Sequence, residues 1–297
     1  MKTHQQPLSV EDQIENLKAI GLTIEDETKA KELLNDISYY RIIKGYSIGL
    51  KDENGIYQKG VTFEQIEELY LFNAQFRYLL FPEIEKVEIN LRCRIANFFS
   101  LKYGVLGYKD ACHFNNATYH ESFLKDLDAE IKRNARVPFV KHFLENYDGN
   151  ELPFYAVVEL LSFGTLSKFF KNMKNADKKE IANQFRLKYP YLESWIEHLS
   201  FVRNICAHYG RLYNIPLSKT PNLFSEYTNL HITNKRVYAT LICLKHLLPN
   251  KDHWEKFVAN IGLLLKNYPS VDKKKMGFPD NKNAWGNILL RPLDKLK

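Results

Sequence analysis

Apolar residues recur at three- and four-residue spacing along most of the chain, as in helices that bury one face. Residues 10–20 set Ile14, Leu17 and Ile20 on one face and stop at Gly21. Residues 25–37 repeat this with Leu33, Leu34 and Ile37, and 39–50 predict a third short helix. The polar stretch 51–60 contains Asn54-Gly55, a turn signal for a small hairpin. Thr62-Phe63-Glu64-Gln65 is a capping box, and Phe63, Ile66, Leu69, Tyr70, Phe76, Leu79 and Leu80 follow it at helical spacing. Pro82 should break or kink that helix. A second long helix should then run over 83–103 and end at Gly104. An irregular connection is predicted over 106–117, a helix over 119–135, and a shorter one over 139–147 between Pro138 and Pro153. Residues 154–161 are short and apolar, and Gly164-Thr165 starts a new turn. Asp177 is expected to cap a helix running to 185. Helices over 192–209 (stopped by Gly210), 234–248 and 252–267 complete an all-α pattern without repeats, low-complexity tracts or a clear linker.

Composition narrows the class only a little. The 297 residues suffice for a sizeable core, with 45% hydrophobic and 26% charged residues, as in an ordinary soluble protein. The formal charge of +7 is a moderate basic bias, compatible with an RNA partner or with simple solubility. Cys93, Cys112, Cys206 and Cys243 form no Cys-x-x-Cys pair, so no structural zinc site, disulfide framework or cofactor is expected. Residues 1–7 lack an apolar signal core and no apolar run is long enough to span a bilayer, so a cytoplasmic location is expected.

Candidate chemistry concentrates in residues 203–214, Arg-Asn-Ile-Cys-Ala-His-Tyr-Gly-Arg-Leu-Tyr-Asn. Arginine is a permanent cation that grips phosphate, and histidine titrates near neutrality. Together, Arg203 and His208 can cleave RNA without a metal: the histidine helps a 2′-hydroxyl attack its phosphate while the arginine stabilises the developing charge. Asn204 and His208 are four apart and share a helix face; Arg203 lies about 140° from His208 and can wrap back toward it. Two such pairs could meet across a two-fold interface. A helix-end histidine beside a solvated arginine is the plainer reading of the same spacing. Tyr209 and Tyr213 are candidates for stacking on bases or for packing. Arg211 and Asn214 suit phosphate binding or structural hydrogen bonds. Glu88 can pair with Arg92 at i,i+4, or orient Arg203 or His208 if its helix lies against the motif helix, and Arg77 can reach the same region. Arg136 and His142 also match loosely, but Pro138 between them makes that pair a decoy. Tyr39-Tyr40-Arg41 and Lys44-Gly45-Tyr46 interleave aromatics with cations, although a small core explains them as well.

The chain resembles the abortive-infection family of bacterial defence proteins, of the AbiD/AbiF type, a branch of the HEPN superfamily. The resemblance runs from about Ile14 to Trp285. It covers Ile14-Glu15-Asn16-Leu17, Gly21-Leu22, Ile37-Ser38-Tyr39-Tyr40-Arg41, Gly45-Tyr46, Leu69-Tyr70, Arg77 and Leu80. It continues through Ile84-Glu85, Val87-Glu88-Ile89, Leu91-Arg92, Lys102-Tyr103-Gly104 and Leu160-Leu161-Ser162-Phe163-Gly164-Thr165-Leu166. Residues 203–214 are its most specific block, and Met276-Gly277-Phe278-Pro279 closes it. In such ribonucleases Arg-x4-6-His is the catalytic signature, and it falls here on Arg203 and His208. The resemblance implies a HEPN-like helical bundle that dimerises, with an N-terminal helical subdomain over 1–60, a core over 61–270 and a C-terminal extension over 271–297 packed on it. It implies a metal-independent endoribonuclease leaving 2′,3′-cyclic phosphate ends, acting in phage defence or as a toxin. Catalysis would fall to Arg203 and His208, support to Asn204, Arg211, Asn214 and Glu88, and RNA binding to Arg211 and Tyr213. A small noncoding RNA antitoxin or guide would be a partner. A non-catalytic RNA-binding or phage-sensing protein, or a module that only dimerises, remains the alternative.

Overall fold

A computed structural model of the chain describes residues 6–248, 250–279 and 284–293. The signal-peptide reading of residues 1–5 and part of the C-terminal extension lie outside them. Helices α1 (Val10–Ala19) and α2 (Glu27–Asp36) open the chain and pack on each other. Ser9 and Asp26 cap them by accepting from the N–H groups of Asp12 and Lys29. The predicted third helix shrinks to a π-helical turn, Tyr40–Lys44, which buries Ile42 and Ile43 completely. The predicted hairpin is present only as an antiparallel bridge between Lys51 and Tyr57, with Gly55 in the left-handed region at φ 80°.

The spine is α3 (Phe63–Tyr103), one continuous helix of 41 residues rather than two. Pro82 does not end it, because the helix offers the proline a harmless place. Pro82 is exposed, and Tyr78, whose carbonyl loses its i+4 donor, is 75% exposed, so water can serve that carbonyl. Thr62 caps α3 by accepting from the Gln65 N–H at 3.1 Å. Then follow α4 (Ala117–Arg133), α5 (Pro138–Asn146), α6 (Phe154–Leu160), α7 (Phe163–Asn172), α8 (Asn175–Asn183) and α9 (Tyr189–Ala207). Asp177 does not cap α8. It is buried, and it accepts from Lys102 Nζ and Tyr103 Oη, both at 2.7 Å, which ties α8 to the end of α3. The chain closes with α10 (Ser225–Asn229), α11 (Tyr238–Leu247), α12 (Lys251–Asn267) and α13 (Ala284–Leu290).

No strand forms among the described residues; there are only isolated bridges, so the fold is all-α. α3 packs against α6, α9, α11 and α12, and α9 packs against α7, α8 and α11. One apolar cluster runs from Ile14 to Leu289. No described helix is long and apolar enough to cross a membrane.

Candidate active site

The site forms where the end of α9 lies along one stripe of α3. Asn73, Arg77, Phe81, Glu88 and Arg92 fall within about 100° of the α3 circumference at 100° per residue. Asn73 and Arg77 meet residues 210–213, whereas Phe81 and Glu88 meet Arg203. The contact order is reversed, so α9 and its following loop run antiparallel to α3.

At the lower end of the stripe, Glu88 is buried between two arginines. Its Oε1 accepts from Arg92 at 2.7 Å, and its Oε2 lies 3.6 Å from Arg203 Nε. Arg92 also donates to the carbonyls of Val158 and Leu161, which makes it a structural anchor. Arg203 sits over the Phe81 ring at 5.8 Å and donates to the Asn204 side-chain oxygen Oδ1 at 3.4 Å. Its side chain stays 35% exposed, so the guanidinium is held on one side and open on the other.

At the upper end, α9 finishes in a Schellman motif. The Tyr209 N–H donates to the Cys206 carbonyl at 3.2 Å and the Gly210 N–H to the Ile205 carbonyl at 2.7 Å. His208 is the cap residue, at φ −96° and ψ 21°. The left-handed position falls on Tyr209, φ 56°, rather than on the glycine. Gly210 is required for another reason: a Cβ there would lie 2.8 Å from Ile205 Cγ2 and 3.1 Å from the Ile205 carbonyl oxygen. The predicted helix therefore stops two residues early, and the motif histidine stands just outside it.

This turn is clamped from three sides. Asn73, completely buried, accepts from the N–H groups of Leu212 at 2.8 Å and Tyr213 at 3.0 Å, and donates to the Gly210 carbonyl. Arg77 donates to the same carbonyl at 3.1 Å. Arg41, from the N-terminal unit, donates to the Tyr209 carbonyl at 3.0 Å. Asn214, at φ 52°, donates to the Ile48 carbonyl at 3.1 Å. Asn73 carried no motif, and its one hint was a polar residue inside the apolar stripe Phe72–Phe76; Arg41 stood in the Tyr39-Tyr40-Arg41 block, with nothing there to link it to the motif turn.

His208 is exposed, and no described residue hydrogen-bonds its imidazole. Tyr209 beside it is 65% exposed. Tyr213 does not fit the expected RNA-binding role: it is 4% exposed, its ring packs edge-on against Phe72, and its hydroxyl accepts from the Asp272 N–H. Arg211 is half-buried over the Tyr46 ring at 5.9 Å, and burial pushes its pKa below the usual arginine range. Burial pushes the Cys206 thiol up to about 12, so it is no nucleophile at neutral pH. Asn204 faces away from the clamp and lines a cleft of about 850 Å³ between α4, α7 and α9.

The arrangement can hold a phosphate against Arg203 and bring an unengaged imidazole about 7.5 Å further along the helix axis, which is reachable within one nucleotide. A family model described as Abi-like protein matches residues 32–214, more than half of the chain, including α3, the motif and all four clamp residues. Neither the curated proteins nor the solved structures compared with the chain gave a match.

Proposed function

Because the chain belongs to the Abi-like protein family, we propose that it acts in phage defence by abortive infection, or as a toxin-like arrest of growth, by cleaving RNA in the cytoplasm. The reaction is transesterification of the HEPN type. The neutral His208 imidazole takes the proton of a ribose 2′-hydroxyl as O2′ attacks the adjacent phosphorus. The P–O5′ bond breaks, an imidazolium returns a proton to O5′, and the products are a 2′,3′-cyclic phosphate and a 5′-hydroxyl. Arg203 stabilises the charge on the non-bridging oxygens, Glu88 positions it, and Asn204 positions one of the two catalytic side chains. Arg211 and Asn214 hold the loop.

The observation that carries this reading is the contrast inside the motif: an arginine held by a buried carboxylate but open to solvent, followed by an exposed imidazole that no described residue occupies. One histidine cannot take and give a proton at once, so a homodimer that adds a second His208 is part of the proposal. Tyr78 and Ile89, next to the stripe residues Arg77 and Glu88, are 75% and 60% exposed, and offer apolar area for such a contact. A small noncoding RNA that restrains or guides the enzyme is the expected partner.

The same free imidazole favours a second reading, because a catalytic base is usually oriented by a third group. A non-catalytic RNA-binding or phage-sensing protein would use Arg203 and His208 to grip phosphate alone. The deciding experiment is RNA cleavage in EDTA by the wild type and by Arg203→Ala and His208→Ala, with product ends identified. Cyclic-phosphate ends from wild type alone are expected; equal cleavage by both variants would overturn the assignment. RNA binding without cleavage would select the second reading.

A further inference from the structure

The cleft that begins at Asn204 is the second feature of α9. Glu193, Glu197, Ser200, Phe201 and Asn204 line it from one face of that helix, so it leads directly to the motif. Across from them stand Tyr119 and Phe123 of α4 and Lys168 of α7. Tyr119 is 69% exposed, so its ring is open to a ligand in the cleft.

The charges of the lining decide what kind of group fits. Lys168, Lys171 and Lys219 are balanced by Asp126, Glu193 and Glu197, three against three. Lys219 and Lys171 are, moreover, already paired with Glu197 at 2.7 Å and 3.5 Å, and Glu193 with Lys178 at 2.7 Å. A track for a polyanionic backbone needs a surplus of cations, and this cleft has none. What it offers instead is the rings of Phe114, Tyr119, Phe123, Phe169 and Phe201 and, with no partner among the described residues, the Asp126 carboxylate, the Lys168 ammonium and the Asn204 amide N–H₂. Flat rings with a few donors and acceptors suit an uncharged, unstacked nucleobase.

We propose that this cleft receives an unpaired base of the RNA next to the scissile phosphate, so that the substrate is single-stranded at that point and the site reads one flanking nucleotide. This rests on the ribonuclease reading above. The base enters between Tyr119, Phe123 and Phe201, its backbone stays on the rim, and the following phosphate reaches Arg203 past Asn204. A base held in a duplex must first break its pair and leave its stack to enter, which disfavours double-stranded substrate at the cut.

The test uses short single-stranded RNAs with one cleavable 2′-hydroxyl and an abasic residue walked along the strand. With wild type, kcat/KM should drop about 5- to 150-fold when the abasic residue occupies one fixed position beside the cut, the range of a single base–aromatic stack. Tyr119→Ala should lower cleavage of the intact RNA toward the abasic level and leave cleavage of the abasic RNA unchanged. A flat abasic scan, or Tyr119→Ala and Lys168→Ala both cleaving like wild type, would overturn the cleft assignment while the nuclease stands. In parallel, His208→Ala protein is photo-crosslinked to 5-iodouridine RNA. Crosslinks at Tyr119 or Phe123 are expected there even if wild type never cleaves, in which case the nuclease falls and the cleft survives. Crosslinks only elsewhere would count against the cleft.

Discussion

Two histidines stand ten residues apart on α9 and its cap, and their surroundings could hardly differ more. His198 is completely buried; its Nδ1–H donates to the Lys219 carbonyl at 2.6 Å and its Nε2 accepts from the Thr240 hydroxyl at 2.9 Å. Both nitrogens are used, one tautomer is fixed, and burial pushes its pKa down to about 4. His208 is exposed with both nitrogens unengaged by any described residue. The first is a rivet between α9, α11 and the 219 loop; the second is free to meet a ligand. Residue type alone did not separate them. Position relative to the end of the helix did.

The sharpest way to break this comparison is to delete each ring. His208→Ala should cut RNA cleavage by about 10²- to 10⁴-fold, the usual worth of a general acid–base group, with an unchanged melting temperature. His198→Ala should do the reverse. It leaves a cavity and two unpaired polar groups, and should cost roughly 3 kcal/mol of stability, while the molecules that remain folded keep their specific activity. Denaturant melts and single-turnover assays on both variants check this. If His208→Ala unfolds the protein, or His198→Ala is inert, the division of roles is wrong.

Acid should reveal the same division without mutation. The folded pKa of His198 lies below its unfolded value of about 6.5. Between those values the unfolded chain holds the extra proton, so stability is complete above about pH 6.5 and is lost as pH falls toward 4. The gap between the two values is worth roughly 3 kcal/mol. His246, pushed down to about 3 by burial, loses stability in the same direction. Urea melts from pH 7 to 4 should show this slope, and His198→Gln should flatten part of it.

Much of this was legible in the residue pattern. The periodicity of α1, α2, α3, α9 and α12 was clear because each buries one long apolar face. The all-α class followed from that periodicity, and the Abi-like family from a resemblance whose most specific block is residues 203–214. Glu88 had two readings, pairing with Arg92 at i,i+4 or orienting Arg203 or His208 where the two helices meet, and it lies against both Arg92 and Arg203. What was not legible depends on side chains meeting backbone far away in sequence. Asn73 reaches the Gly210 carbonyl across 137 positions and Arg41 reaches Tyr209 across 168, and neither leaves a periodic trace. Pro82 misled for the opposite reason. The local rule is sound, but whether the Tyr78 carbonyl, left without its donor, lies on an exposed part of the helix is set by the tertiary structure. Tyr213 looked like a stacking residue until Phe72 and Asp272 were seen to enclose it.

Glu88→Gln sharpens the comparison at the arginine. The amide can keep a hydrogen bond to Arg92 but cannot hold Arg203 by charge. Cleavage should fall about tenfold, equivalent to ~1.4 kcal/mol, through kcat rather than KM. A merely structural Glu88 would lower the melting temperature without that kinetic signature.

The smallest effect tests the turn that carries His208. Tyr209 occupies the left-handed region that a helix normally assigns to glycine, at a cost of roughly 1–2 kcal/mol. Tyr209→Gly removes that strain and adds freedom to the unfolded chain, and the two nearly offset, leaving a gain of about 0.5 kcal/mol. The Arg41 bond goes to the Tyr209 backbone carbonyl and survives the substitution, so the loop should keep its course. If the exposed ring also meets RNA, the slightly stabler variant should bind single-stranded RNA less tightly, and a filter-binding titration beside a melt separates the two consequences. Equal binding would make Tyr209 a strained bystander and leave recognition to Arg203, His208 and the cleft. Weaker binding would explain why a tyrosine stands where the backbone favours glycine.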